Sequence, residues 1–154
     1  MILPWWPLDC TDPKRSQVSR EIINIMNDIQ QLDILHEKVE MLCEQWEFLP
    51  KLSMQINLVL EELVSNIIFY GFPQKGEHQI EICLEFTNGR ITIITTDDGI
   101  YFDPLQAKSP DLTVPVEERK IGGLGIHFIQ QIMDEVKYER KDDKNILTLV
   151  KQIE

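Results

Sequence analysis

Residues 78–97 constrain this chain more than any other stretch. Ile80, Ile82, Leu84 and Phe86 alternate with Glu81, Cys83 and Glu85, a period of two that marks a strand with one buried face. Asn88-Gly89 follows, the pair best suited to the positive backbone angles of a two-residue hairpin turn. A return strand spans residues 90–97 and reads ITIITTD from Ile91 to Asp97. A hairpin with an apolar face must bury that face against a second layer.

The flanking sequence supplies such a layer. Over residues 31–49, Leu32, Leu35, Val39, Leu42, Cys43 and Trp46 recur at helical spacing, with Pro50 as the expected stop. A second helix is expected over residues 53–70, with Ser53 as its N-cap and Ile56, Leu60, Leu63 and Ile67 as one apolar stripe. Gly71 and Pro73 end it. The β-branched stretch 19–27 reads as an edge strand, residues 125–134 as a helix, and residues 136–140 and 145–153 as a closing hairpin. The expected fold class is α+β: a two-layer α/β sandwich with helices on one face of a mostly antiparallel mixed sheet. Residues 1–18, with three prolines and little periodicity, read as an N-terminal arm to a domain over 19–154.

Composition narrows the partners. A net charge of −11 argues against binding a nucleic-acid backbone, which takes a basic stripe, and against docking on an anionic membrane. No run approaches 18 consecutive apolar residues, so no membrane span is expected, and the start lacks the basic residues of a signal peptide. Cys10, Cys43 and Cys83 are widely spaced and form no C-x-x-C, which reads as reduced thiols in a cytoplasmic protein.

Three constellations carry chemistry. Glu62 and Asn66 lie four apart on the second helix, hence one turn apart on one face. An amide oxygen there can ligate Mg²⁺, and the carboxylate can accept a proton. Asp97 ends its strand on the parity of Ile91 and Ile93, so it points toward the helices. From there it can accept the exocyclic amine hydrogen of adenine, and Gly99 lets the backbone approach the base. Gly122, Gly123 and Gly125 enter an amphipathic helix, where backbone N–H groups and the helix N-terminus can cradle phosphate. No Gly-Lys-Ser/Thr follows, so this is not a Walker loop. His36 and His127 read as surface residues, and His78 begins a strand and carries no signal.

The order of these motifs is similar to that of the GHKL ATPases, the fold shared by gyrase, the heat-shock chaperone, histidine kinases and mismatch-repair ATPases. LVLEELVSNIIFYGFP, TTDDGIYFDP, IGGLGIHFIQQIMDEVKYER and NILTLVK resemble, more closely still, the anti-sigma-factor serine/threonine kinases. The resemblance runs from about Ile22 to Ile153. It implies Glu62 as general base or water-positioning residue, Asn66 as Mg²⁺ ligand and Asp97 as the adenine reader with Gly99 beside the base. It implies Gly122, Gly123 and Gly125 at the phosphates, Lys120 at a hinge touching phosphate, and Thr148 reaching the adenine side from its strand. Tyr101 departs from the pattern, standing where many of these sites have a second glycine. The implied activity is ATP- and Mg²⁺-dependent phosphorylation of a small antagonist protein, with regulation of transcription by partner switching, a sigma factor as possible further partner, and a homodimer. The alternative is a nucleotide-gated module that sequesters a partner without phosphoryl transfer.

Residues 101–121 carry Pro104, Pro110 and Pro115, show no periodicity, and are expected to form a lid over ATP. Hydrogen exchange of these amides should slow on adding ATP, and strong, equal protection with and without nucleotide would rule a lid out.

Overall fold

The computed structural model describes residues 18–74, 76–106, 113–115, 117 and 123–153, with only the backbone of 123 and 124. Five strands, β1 (Ser19–Met26), β2 (Gln79–Thr87), β3 (Arg90–Asp97), β4 (Glu135–Lys141) and β5 (Lys144–Gln152), form one sheet in the order β1-β2-β3-β5-β4. Every pairing is antiparallel, so the described sheet has no parallel component. Helices α1 (Gln31–Gln45), α2 (Pro50–Tyr70) and α3 (Gly123–Ile132) form the second layer, with α2 between α1 and α3.

Both hairpins turn through two residues with positive φ, Asn88 and Gly89 in one, Asp142 and Asp143 in the other, which matches the right-handed twist of the strands they join. The core forms where one face of the sheet meets α2. Ile80, Ile82, Leu84, Ile91, Ile93 and Leu149 are inaccessible to solvent, as are Val59 and Val64 of α2. At about 25 cal/mol per Å² of apolar area, this contact between the layers is the main favourable term of folding.

The boundary between α1 and α2 differs from the expected one. Pro50 opens α2 instead of closing α1. A first-turn residue makes no use of its backbone N–H, so proline fits there, and Leu49 before it is extended (φ −63°, ψ 147°). Ser53 is therefore inside α2, where its Oγ donates to the Leu49 carbonyl at 3.4 Å, and it is not the N-cap. α1 stops by another device. Glu47 adopts φ 57°, and the Glu47 and Phe48 N–H groups donate to the carbonyls of Glu44 (3.0 Å) and Cys43 (2.9 Å). These are the two bonds of a Schellman cap, with glutamate in the place usually held by glycine. α3 starts at Gly123, two residues earlier than expected, so Gly123 and Gly125 belong to its first turn.

By length and composition α2 is apolar enough to cross a membrane, with a mean hydropathy of 1.3 over 18 residues, which the count of consecutive apolar residues did not show. It is placed here as the central helix of the layer, with Ile56, Val59, Leu60, Leu63 and Val64 in the core. Cys43 and Cys83 are free and buried, and burial raises the Cys43 thiol above its ordinary value. Cys10 and all of the expected arm except Val18 lie outside the described residues.

The left-handed conformation at Glu47 costs a side-chain-bearing residue more than glycine. Glu47→Gly should raise stability to denaturant by about 0.5–1 kcal/mol, and Glu47→Val should lower it. A less stable glycine variant would show that this cap does not set the end of α1.

Candidate nucleotide site

A cavity of about 310 Å³ opens between α2, the first turn of α3, the C-terminal end of β3 and the start of β5. Its walls are mostly apolar: Leu63 and Ile67 from α2, Ile126 from α3, Leu147 from β5, and Ile100 and Phe102 from the loop after β3. Four polar residues interrupt them, Asn66, Thr95, Asp97 and Asn145. An apolar slot with a few placed polar groups is the usual form of a small-molecule site.

Strand parity brings Asp97 here. Ile91, Ile93, Thr95 and Asp97 are the buried positions of β3, so the row that fills the core runs out into the cavity as a hydroxyl and then a carboxylate. Asp97 is 5% exposed. Its Oδ1 accepts hydrogen bonds from Gly99 N–H (2.9 Å) and Asn145 Nδ2 (3.0 Å). Among the described residues no hydrogen bond engages Oδ2, and no buried side-chain polar atom lacks a partner, so Oδ2 keeps access to the cavity. Burial pushes the Asp97 carboxyl above its ordinary value. The hydrogen bonds from Asn145 and Gly99 pull it back, Asp98 adds to the rise, and the Arg140 charge opposes it.

Gly99 holds the loop against α2. A Cβ on it would lie 2.7 Å from both Asp97 Oδ1 and the Gly71 carbonyl oxygen. The Ile100 N–H donates to that same carbonyl at 2.9 Å. Only glycine admits this approach.

Asn66 faces the cavity, and among the described residues no hydrogen bond engages its amide. Glu62, one turn earlier and half-buried, does not line the cavity. It lies instead against α3: a Cβ on Gly125 would fall 2.5 Å from Glu62 Oε2. The carboxylate thus sits beside the first turn of α3. An amide oxygen with no hydrogen-bond partner among the described residues suits a hard cation that takes oxygen ligands and keeps several waters, so Asn66 fits a Mg²⁺ ligand. Gly123 contributes to the first turn of α3. Lys120 and Gly122 lie outside the described residues, as does most of the expected lid.

Thr148 is not brought to the site. The buried residues Asn145, Leu147 and Leu149 share one parity of β5, and Thr148, between Ile94 and Lys137 in the sheet, has the other. Its side chain therefore points away from the helices. The polar residue that enters the cavity from β5 is Asn145, directly opposite Asp97 in the register, with Thr95 and Tyr138 from the neighbouring strands. None of these three was singled out. Asn145, Leu147 and Leu149 alternate as clearly as the core row of β3, but Ile146, Thr148 and Val150 make an equally strand-like row. His78 is also more engaged than expected. It stacks on Phe72 with ring centroids 4.4 Å apart and lies 3.0 Å from Asp98, in the loop after β3.

The fold agrees with comparisons to known proteins. Residues 25–151 match the family model described as the histidine kinase-like ATPase domain, and the chain belongs to that family. Among its relatives is the serine/threonine-protein kinase BtrW of Bordetella bronchiseptica, 29% identical over 106 residues that cover 69% of this chain and 73% of the relative. The anti-sigma F factor of Clostridium acetobutylicum is 24% identical over 97 residues, covering 63% and 67%. The serine-protein kinase RsbW of Listeria monocytogenes is 30% identical over 88 residues, covering 53% and 55%.

Asp97→Asn separates binding from stability. An asparagine oxygen can still accept from Gly99 and Asn145, but the second position becomes a donor. Affinity for ADP should fall by about 1–3 kcal/mol in calorimetric titration. Because the folded-state pKa of Asp97 is raised, its ionised form costs stability. That cost is absent below the ordinary carboxylate value, grows as pH rises toward the folded value, and is complete above it. The ligand-free variant should therefore melt no lower than the parent at pH ~7, its advantage shrinking as pH falls into the carboxylate range. Unchanged ADP affinity would remove Asp97 from the adenine site.

Proposed function

We propose that this chain is a cytoplasmic, ATP-dependent serine/threonine protein kinase of the anti-sigma-factor type. It phosphorylates a small antagonist protein and regulates transcription by switching between that antagonist and a sigma factor, and it acts as a homodimer. The observation that carries the reading is the placement of Glu62 against Gly125 in the first turn of α3, one helical turn from Asn66, which faces the same cavity as Asp97. A carboxylate at a phosphate-binding turn is what proton transfer from a substrate hydroxyl requires, and binding alone does not. The names of the relatives, kinases and an anti-sigma factor, support the same class.

In this reading Asp97 Oδ2 accepts the adenine amine hydrogen, and the apolar walls take the faces of the base. Gly122, Gly123 and Gly125 present backbone N–H groups to the phosphates, with Lys120 at the hinge of the lid. Glu62 takes the proton of the attacking hydroxyl. Asn66 would hold Mg²⁺ through its amide oxygen, and the bound metal would supply neutralisation of phosphate charge.

The two α2 residues should fail differently. Glu62→Gln should bind Mg-ATP nearly as the parent does, yet lose on the order of 10²–10⁴-fold in phosphoryl transfer. Asn66→Ala should lose both Mg²⁺-dependent affinity and transfer. The assay is nucleotide affinity at fixed Mg²⁺ beside phosphate transfer to the candidate antagonist. Full transfer by Glu62→Gln would remove it as the base. A parent protein that binds ATP but neither transfers nor hydrolyses its phosphate would be a nucleotide-gated sequestering module.

A further inference from the structure

The polar floor of the cavity holds one oxygen of Asp97 through the Gly99 N–H and the Asn145 side chain, and leaves the other without a hydrogen bond among the described residues. Asn145 Nδ2 donates to Asp97 Oδ1 at 3.0 Å and to the Ile100 carbonyl at 2.8 Å. Its Oδ1 accepts from the Tyr138 hydroxyl at 2.7 Å, an Arg140 guanidinium nitrogen at 3.0 Å and the Phe102 N–H at 3.4 Å. The same Arg140 nitrogen donates to the Gly99 carbonyl at 2.8 Å. A guanidinium can only donate. If the Asn145 amide turned over, its NH₂ would meet Arg140 and its oxygen would meet the Asp97 carboxylate, losing both bonds. Arg140, which is not part of the cavity wall, thus acts with the Ile100 carbonyl and the Phe102 N–H to fix which end of Asn145 faces Asp97, and it is the side chain among the three.

That orientation has a chemical consequence at Oδ2. An ionised carboxylate only accepts hydrogen bonds, whereas a protonated one can donate. A donor locked on Oδ1 favours the ionised form, so the cavity presents an acceptor. A 6-amino purine offers a donor to it, and a 6-oxo purine offers a second acceptor, which repels. We propose that Asn145, oriented by Arg140, is the positioning residue that makes this pocket select 6-amino over 6-oxo purine nucleotides. The inference rests on the ATP-site reading above. The charged groups acting on Asp97 are Asp98, next in the chain, and Arg140 on β4, with the Tyr138 hydroxyl also meeting Asn145. The Asn145 bond is the largest influence opposing the effect of burial on Asp97. Its loss makes the carboxyl easier to protonate, and a protonated carboxyl suits a carbonyl oxygen.

The test is calorimetric titration of the whole chain with ADP and with inosine diphosphate, from pH ~5.5 to ~8, for the parent, Asn145→Leu, Asn145→Ser and Arg140→Met, with melting temperatures taken in the same buffers. The parent should prefer ADP. Asn145→Leu should lower the ratio of ADP to inosine diphosphate affinity by about tenfold or more, one lost buried hydrogen bond. It should also move the loss of ADP binding to higher pH. Asn145→Ser, which restores a hydroxyl donor, should recover part of the ratio. Arg140→Met should move it in the same direction as Asn145→Leu without touching the cavity, and it decides the matter if Asn145→Leu does not fold. If folded Asn145→Leu and Arg140→Met weaken both nucleotides by one factor and leave the ratio and its pH dependence unchanged, the role is structural and the proposal fails. It also fails if the parent binds both nucleotides equally. A parent that binds no purine nucleotide would instead overturn the reading of the site itself.

Discussion

The structure depends on one row of side chains along β3. Ile91 and Ile93 close the core against α2, and Thr95 and Asp97 continue the same row into the cavity. Strand geometry makes this a rigid coupling, because every second residue must share a face. A slip of one residue in the β3 pairings would expose the isoleucines and turn Asp97 away. The interaction that stabilises the fold therefore also aims the carboxylate. The antiparallel register with β5 completes the arrangement by setting Asn145 opposite Asp97.

α2 divides its circumference between two tasks. Ile56, Val59, Leu60, Leu63 and Val64 are buried among the sheet and the flanking helices. Its C-terminal half turns Asn66 to the cavity and Glu62 to α3. The hydropathy of this helix exceeds what that burial accounts for, because Met54, Leu58, Phe69 and Tyr70 of the same helix are exposed. The Gly71 carbonyl just past its end receives the Ile100 N–H, which ties the loop beyond Asp97 to the helix carrying Glu62 and Asn66. Groups from α2, α3, β3, β4 and β5 thus converge on one cavity.

Much of this was legible in the chain itself. The β2–β3 hairpin, its turn and the inward direction of Asp97 followed from a period of two and one dipeptide. The α+β class followed from adding helical periods on either side. Glu62, Asn66 and the glycine turn were visible as motifs, and their order resembled that of a known family. Errors fell where two local rules competed. Pro50 can end one helix or begin the next, and Ser53 is an acceptable cap in isolation. With Glu47 stopping α1, the proline was free to open α2. Thr148 was favoured through the resemblance, yet both rows of β5 are apolar enough to face a core, and composition does not choose between them.

Local sequence determined the elements, the face of β3 that is buried and the chemical types available to a site, because backbone periodicity and turn geometry are properties of a few adjacent residues. Tertiary structure alone decided that β5 lies between β3 and β4, which row of β5 meets the helices, and that Glu62 touches Gly125. It also decided that Asn145, Tyr138 and Arg140 join Asp97 in one hydrogen-bonded group. Asp97 and Asn145 are 48 positions apart. The direction of the Asn145 amide is set by groups that only donate, Arg140 and the Phe102 N–H, and by the Ile100 carbonyl, which only accepts, and that relation exists only once the strands have paired.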